Sequence, residues 1–416
     1  MAHGRVHLTG GEMIKFRTIK DIIEGTISQK EGAKKLELST RQVRRLQGKV
    51  SSHGVEGIVH GLLGRPSNNS LRKDIRDKII SLWKDKYKEC ELNFTHYTEK
   101  LNEVEGVKVS KDTVRTLLRK EKQVETKPRK RRKHRKERPR KERVGELLQQ
   151  DTSPHDWLST GEQKHLVVIQ DDATSEAFFA KLYDADGTLP NLEAMDYVFR
   201  KFGLPRAMYT DGASWFHYSE QGRKIQSTHK ALREGRDGKK GETQIGRALK
   251  AIGVELIRAG SPQAKGRVER VNRTFQDRLI SELRLENITD MDLANEFIKN
   301  IYLPDHNKRF AKDPADFTSA FAKLANPESL TDVLCLRFQS CVRNDNVVSK
   351  AKYYSLQLLP GTHRYSWTKA WVDVRLHLDG SVTVRHAKTQ ELIPFEIKYL
   401  NHAAKEYKHG RSMVAA

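Results

Sequence analysis

Residues 127–143 read KPRKRRKHRKERPRKER. Twelve Lys/Arg stand against two Glu, a local charge of +10, with Pro128 and Pro139 and no apolar side chain. A run of this kind has nothing to bury that could offset the entropy of ordering it, so it reads as an extended linker. The chain must therefore fold as separate parts on either side of it. The whole sequence of 416 residues has 77 Lys/Arg and 54 Asp/Glu, a net charge of +23. An excess of that size draws polyanions, because each neutralised phosphate releases counterions. No apolar run of about eighteen residues occurs, which predicts no contact with the membrane interior. MAHGRVHLTGGEM at the start lacks the apolar stretch of a signal peptide. Cys90, Cys335 and Cys341 show no C-x-x-C spacing. They suit neither a disulfide framework nor a zinc site, which points to a reducing, cytoplasmic compartment.

Before the linker the pattern is that of short helices. Ser28-Gln-Lys-Glu31 and Ser39-Thr-Arg-Gln42 each fit a capping box, in which the Ser hydroxyl and the Glu/Gln three residues on satisfy each other's free backbone donors. Helices over 28–36 and 39–49 are expected from them, with Ala33, Leu36, Leu38, Val43 and Leu46 as a shared core. The second exposes Arg41, Arg44 and Arg45, as a helix-turn-helix recognition helix in a DNA major groove would. A second helical set over 70–87, 95–105 and 110–122 turns Lys111, Arg115 and Arg119 outward and reads as another helix-turn-helix. The expected division is 1–60 and 61–125 for two DNA-binding units, then 126–143 for the basic linker, whose Arg131 and Arg132 would lie along phosphates.

After the linker the periodicity changes. A strand is expected over 145–153. HLVVIQ (165–170) and AFFAKLY (177–183) read as a hairpin, with Asp171 and Asp172 at a solvent-facing turn. A helix over 192–202, a strand 205–210, a helix 244–252, a strand 254–257 and a long helix from about 263 to 285 complete the order. Three strands, helix, strand, helix, strand, helix is the ribonuclease-H-like layout, an α/β core expected over 144–325. Residues 326–405 alternate in short segments, and Asp379-Gly380 suggests a two-residue hairpin turn. This predicts a small SH3-like β-barrel.

Three carboxylates stand at telling places in that layout. Asp151 ends the first strand, Asp211 ends the fourth, and Glu269 opens the long helix. Strands one and four are neighbours in it and the helix packs beside them, so the three should converge. Asp171 and Asp172 compete for the first place, since they come after the most strand-like segment. Taking that segment as strand one, however, leaves too few strands before the next helix. Asp156 lies in the loop beyond. Convergent carboxylates suit two Mg²⁺ ions in phosphodiester chemistry, because Mg²⁺ takes a few carboxylate oxygens together with waters and phosphate oxygens. Lys265, Arg267 and Arg270 flank Glu269 and could grip phosphates, with Gln263, Asn272 and Arg273 near the same face. Trp157 reads as core packing, with base stacking open to it.

The segment SPQAKGRVERVNRTFQDRL (261–279) resembles the glutamate helix of integrase-core (DDE) transposases, and nearly the whole chain is similar to insertion-sequence transposases of the ISNCY/IS1202 type. The resemblance implies Asp151, Asp211 and Glu269 as the catalytic metal triad, with Mn²⁺ able to replace Mg²⁺. It further implies recognition of terminal inverted repeats by the N-terminal units, 3′-end cleavage, joining to target DNA, and a synaptic complex of at least two copies. The polar stretch 219–240 departs from simple cores. Two rivals are weighed against this reading. One is a DNA-binding regulator with an inactive core. The other is a tyrosine recombinase using His306-x-x-Arg309 with Tyr353 or Tyr354, which the β-rich tail suits poorly.

Overall fold

Capping boxes begin three N-terminal helices. In the computed structural model, which describes residues 8–59, 70–124, 139–217, 242–258, 266–324, 326–350, 353–361 and 364–400, Thr9, Ser28 and Ser39 each accept from a backbone N–H and receive the returning Glu or Gln. They start α1 (Gly10–Ile23), α2 (Gln29–Lys35) and α3 (Thr40–His53). Ile19, Ile22, Ala33, Val43 and Val50 are buried between them, with Leu36, Leu38 and Leu46 packed around. Arg41, Arg44 and Arg45 lie exposed on α3. This unit, residues 1–77, is compact in itself, and residues 78–416 form the second compact unit.

The boundary falls inside α4 (Lys73–Leu82). The rest of the second helical set thus packs with the C-terminal part of the chain rather than standing alone. α5 (Phe94–Glu103) and α6 (Lys111–Lys120) start at Asn93 and Ser110 side-chain caps. Polar side chains clasp α5 to the long helix Val268–Leu285. Glu99 takes both Arg278 nitrogens at 2.7 and 2.9 Å, and Glu282 takes His96 at 2.5 Å and Lys100 at 2.8 Å.

β1 (Leu148–His155), β2 (Lys164–Asp171), β3 (Ala177–Tyr183), β4 (Ala207–Thr210) and β5 (Glu255–Arg258) form one sheet in the order β3-β2-β1-β4-β5. β1, β2 and β3 run antiparallel in succession, while β1–β4 and β4–β5 are parallel. Between them come α7 (Thr188–Phe202) and α8 (Gln244–Ala251), and after them α9 (Val268–Leu285), α10 (Met291–Phe297), α11 (Leu303–Phe310) and α12 (Ser329–Val333). Alternation along the strands sends Leu148, Val167 and Ile169 to the α7 and α8 face. Leu166, Val168 and Leu182 go to the other face, under Phe275 and Leu279 of α9. Trp157 is wholly buried in this second layer and donates from Nε1 to the Ser153 carbonyl at 2.9 Å.

β3 is an edge strand, closed by two asparagines. Asn295 accepts from Leu182 N–H at 2.7 Å and donates to its carbonyl at 3.1 Å. Asn307 does the same for Ala177, at 2.9 Å each way. Each amide stands in for a missing strand. Asn295→Ala should cost about 2 kcal/mol, because both groups of Leu182 lose their partner while staying buried. Urea unfolding would show this as a lower midpoint at unchanged slope; an unmoved midpoint would deny the asparagine that role.

The C-terminal strands β6 (Leu336–Cys341), β7 (Val347–Lys350), β8 (Tyr354–Leu358), β9 (Trp371–Leu376), β10 (Val382–His386) and β11 (Phe395–Leu400) make two antiparallel sheets, β10-β9-β6 and β11-β8-β7. Their apolar faces join the cluster that covers the α7 side of the large sheet. The turn at Asp379-Gly380 is longer than the expected two residues. His377 N–H still pairs with the Ser381 carbonyl, which leaves three residues in the loop, and Gly380 takes a positive φ of 83°. Among the described residues no helix is long and apolar enough to cross a membrane.

Candidate active site

Asp151 and Asp211 lie just beyond the paired part of two neighbouring parallel strands. β1 pairs with β4 as Leu148↔Met208 and Gln149↔Tyr209. Continued two residues past the last paired position, the same offset would run Asp151 toward Asp211, which follows β4 directly. Asp151 lies within β1, opposite Val168 of β2, rather than at the strand's end as expected. It lies past the part of β1 that pairs with β4. Val168 belongs to the α9 side, and Asp151 shares that face. Both aspartates are half-buried, and Glu269, in the first turn of α9, is exposed.

Asn272 ties the helix to the strand. Its Nδ2 donates to Asp151 Oδ2 at 2.7 Å. Glu269 lies three residues before Asn272 and so shares its face of the helix. Asp211 Oδ1 accepts from Ala213 N–H at 3.0 Å. Arg258, paired with Thr210 across the β4–β5 register, lies over Gly212, where an added Cβ would meet its guanidinium at 2.9 Å. His217 bonds the Thr210 hydroxyl at 2.9 Å. Burial pushes its pKa down, the Arg258 charge adds to this, and Asp211 opposes both. His217 and Arg258 were not anticipated, although the β4–β5 register would have suggested Arg258. Among the described residues no three His, Cys, Asp or Glu side chains are drawn close enough to grip one ion. Asp151, Asp211 and Glu269 are thus not drawn together as such a group. Carboxylate oxygens are nevertheless hard donors of the kind that Mg²⁺ takes.

The acidic pair at the end of β2 does not face solvent. Asp171 and Asp172 are 0% and 1% exposed. Asp171 accepts from Gly145 N–H at 2.9 Å, Thr174 N–H at 2.8 Å and the Thr174 hydroxyl at 3.0 Å. Burial pushes its pKa up against those bonds. Asp172 accepts from Gln149, from Lys141 N–H at 3.0 Å and from Arg267 at 2.5 Å. A turn that pins several segments together has to be buried. For the same reason Arg267, expected at a phosphate, is 8% exposed and ion-paired with Asp172. Asp156 accepts from Thr160 and Gly161 N–H groups at 3.0 Å each, closing a turn.

Of the other expected contacts, Arg270 is exposed beside Glu269, and Lys111 and Arg119 are exposed on α6. Arg115 is half-buried and pairs with Asp112 at 2.6 Å. Arg131, Arg132, Gln263, Lys265 and the 219–240 stretch lie outside the described residues. The recombinase rival loses its His, its Arg and one of its two tyrosines, the other, Tyr353, being half-buried. His306 is buried among aromatic rings, Arg309 is paired with Glu103 and Asp305, and Tyr354 is 1% exposed.

A mixed sheet of this order, with a long helix across the face where the aspartates stand, is the layout of the integrase-core class of transposases. No protein-family profile matches the chain. It is 35% identical over 349 residues to y4bF of Sinorhizobium fredii, named as a transposase, covering 82% of this chain and 71% of that one. It is 27% identical over 423 residues to the transposase for insertion sequence IS1202 of Streptococcus pneumoniae, covering 93% and 87%. The chain belongs to this family of transposases. Solved structures matched include a simian T-cell lymphotropic virus intasome in complex with PP2A regulatory subunit B56 gamma, at 12% identity and TM-score 0.29, covering 68% of this chain and 90% of that one. The HTLV-2 integrase catalytic core domain in complex with magnesium matches at 13% identity and TM-score 0.25, covering 38% and 88%. The family assignment rests on the two sequence relatives.

Proposed function

We propose that this transposase binds the terminal inverted repeats of its insertion sequence, cleaves at their 3′ ends and joins those ends to target DNA, with Asp151, Asp211 and Glu269 as the metal-holding triad. The observation that supports this is the parallel β1–β4 pairing, whose offset, continued past Gln149↔Tyr209, runs Asp151 toward Asp211, together with the bond from Asn272 of α9 to Asp151. Each chemical step exchanges one P–O bond for another: in cleavage a water oxygen bonds phosphorus and the 3′-oxygen leaves as the hydroxyl, and in joining that 3′-hydroxyl oxygen bonds a target phosphorus while the target strand's 3′-oxygen leaves. Two Mg²⁺ ions, or Mn²⁺ in their place, would supply activation of the attacking oxygen and charge stabilisation of the departing one. The chain's own residues hold the carboxylates in place. Asn272 bonds Asp151, Ala213 N–H bonds Asp211, and Glu269 stands in the first turn of α9, one helical turn before Asn272. Arg270, exposed next to Glu269, would contact flanking phosphate, and Lys265 with it. Arg41, Arg44 and Arg45 of α3 would read one block of the end. Lys111, Arg115 and Arg119 would lie against another, and Arg131 and Arg132 along the backbone between. Double-stranded DNA, as transposon end and as target, is then the partner, held by at least two copies of the chain in the cytoplasm.

The test is nicking of a labelled duplex carrying the element's end. Cleavage at the 3′ end is expected with Mg²⁺ or Mn²⁺ and none with EDTA, alongside sequence-specific binding. Tight binding without cleavage under any divalent ion would turn the assignment toward a regulator.

A further inference from the structure

α9 begins at Val268, so Glu269 sits in a first turn that its own helix holds poorly, since the opening N–H groups of a helix have no intrahelical partner. Three contacts from outside the helix bracket it. Arg267 donates to Asp172 Oδ1 at 2.5 Å. Val268 N–H, one of the orphan donors, is satisfied by Gln149 Oε1 at 3.3 Å. Asn272 reaches Asp151 at 2.7 Å. The first two contacts belong to one network, because Gln149 Nε2 also donates to Asp172 Oδ1. Gln149, Asp172 and Arg267 are 1%, 1% and 8% exposed. Gln149 is two residues before Asp151 on the same face of β1.

We propose that the buried Gln149–Asp172–Arg267 network is a positioning latch that sets the first turn of α9, and so the Glu269 carboxylate, against the strand carrying Asp151. This rests on the proposed triad and adds residues that touch neither metal nor DNA. An ion pair so deeply buried gives little net stability, because desolvating both charges offsets their attraction. What it supplies is direction. A buried guanidinium bonded to the carboxylate and an amide bonded at both ends leave the helix start one position on β1. Asp172 also accepts from Lys141 N–H at 3.0 Å, so the chain leaving the basic linker is anchored at the same carboxylate.

Asp172→Asn and Arg267→Met each leave one buried partner unsatisfied and can fail to fold. The double variant removes both charges together and should melt close to the parent. Gln149→Met, which keeps the volume and loses the acceptor for Val268, is the milder second probe. All are made in the full chain and read three ways: affinity for end DNA, Mg²⁺-dependent cleavage, and backbone cutting by Fe²⁺-generated hydroxyl radicals. In the parent, cuts should fall near 151, 211 and 269. In the double variant and in Gln149→Met, end binding should be unchanged and cleavage should drop about ten- to a hundredfold, the usual loss when the support of a metal ligand is removed. The cut near 269 should fade while those near 151 and 211 stay. Parent-level cleavage with the 269 cut intact in both variants overturns the latch and leaves the triad standing. A parent map without cuts near 151, 211 and 269 overturns the triad and the latch together.

Discussion

Asp151→Asn, Asp211→Asn and Glu269→Gln should each abolish Mg²⁺-dependent end cleavage and strand transfer while leaving end binding within a factor of two or three. Each substitution keeps the side chain's size and its capacity to accept, and removes the charge that a hard divalent cation needs. Loss of metal-centred stabilisation is worth several kcal/mol, so rates should fall about a thousandfold or more. The three should not behave alike in stability. Asp151 accepts from Asn272 and Asp211 from Ala213 N–H, and an Asn oxygen can still accept both. Glu269 is exposed, so its loss should leave the melting temperature where it is. Single-turnover cleavage of an end duplex, with binding measured on the same samples, decides it. A variant that keeps more than a few per cent of parental activity in Mg²⁺ removes that residue from the triad. Asp172→Asn is the informative contrast. If Asp172 is support and not ligand, its loss should be smaller than that at Asp151 and should come with destabilisation.

What could be read from the sequence was what local chemistry decides. The boxes at Ser28 and Ser39 lie within four residues, and both helices start where those boxes put them. AFFAKLY spans β3, because alternation and a polar connection define a hairpin without outside help. That β1 and β4 are neighbours also came from strand order alone. The fate of Asp171, Asp172 and Arg267 did not. Asp172 meets Arg267 at a separation of 95 residues, and an acidic pair between two strands reads as a surface turn until its partners are known. The clasp of α5 on α9 was hidden for the same reason. Glu99 and Arg278 look like solvated charges on separate helices, 179 positions apart in the chain. The extra length of β1, which leaves Asp151 within the strand, is set by pairing with β2 beyond the point where β4 stops.

The second large effect concerns His306, on the helix packed behind α9. It is 3% exposed, with Phe275 and Phe310 rings at centroid distances of 4.6 and 4.9 Å. Neither ring nitrogen has a hydrogen-bond partner among the described residues. Burial, aided by the nearby Arg278 charge and opposed by Asp305, pushes its pKa from 6.5 down to about 4. The folded chain therefore holds this imidazole neutral where the unfolded chain would protonate it. Below pH 6.5 the unfolded state binds the extra proton, so stability falls with pH from 6.5 until about 4, where the folded state takes the proton too. The full loss is about 3 kcal/mol, and at pH 5 about 2 kcal/mol of it has been incurred. His306→Phe fills the same aromatic cluster with no group to protonate. Its stability should match or exceed that of the parent at pH 7.5, where it also removes two unpaired polar atoms. At pH 5 the gap should widen in its favour by about 2 kcal/mol. Urea unfolding of both proteins at the two pH values measures the difference. The same variant should cleave end DNA at the parental rate, since this histidine packs behind the catalytic helix and touches no reacting group. Equal pH dependence in the two proteins would show that the ring is solvated or paired. Loss of cleavage at full stability would return His306 to the chemistry.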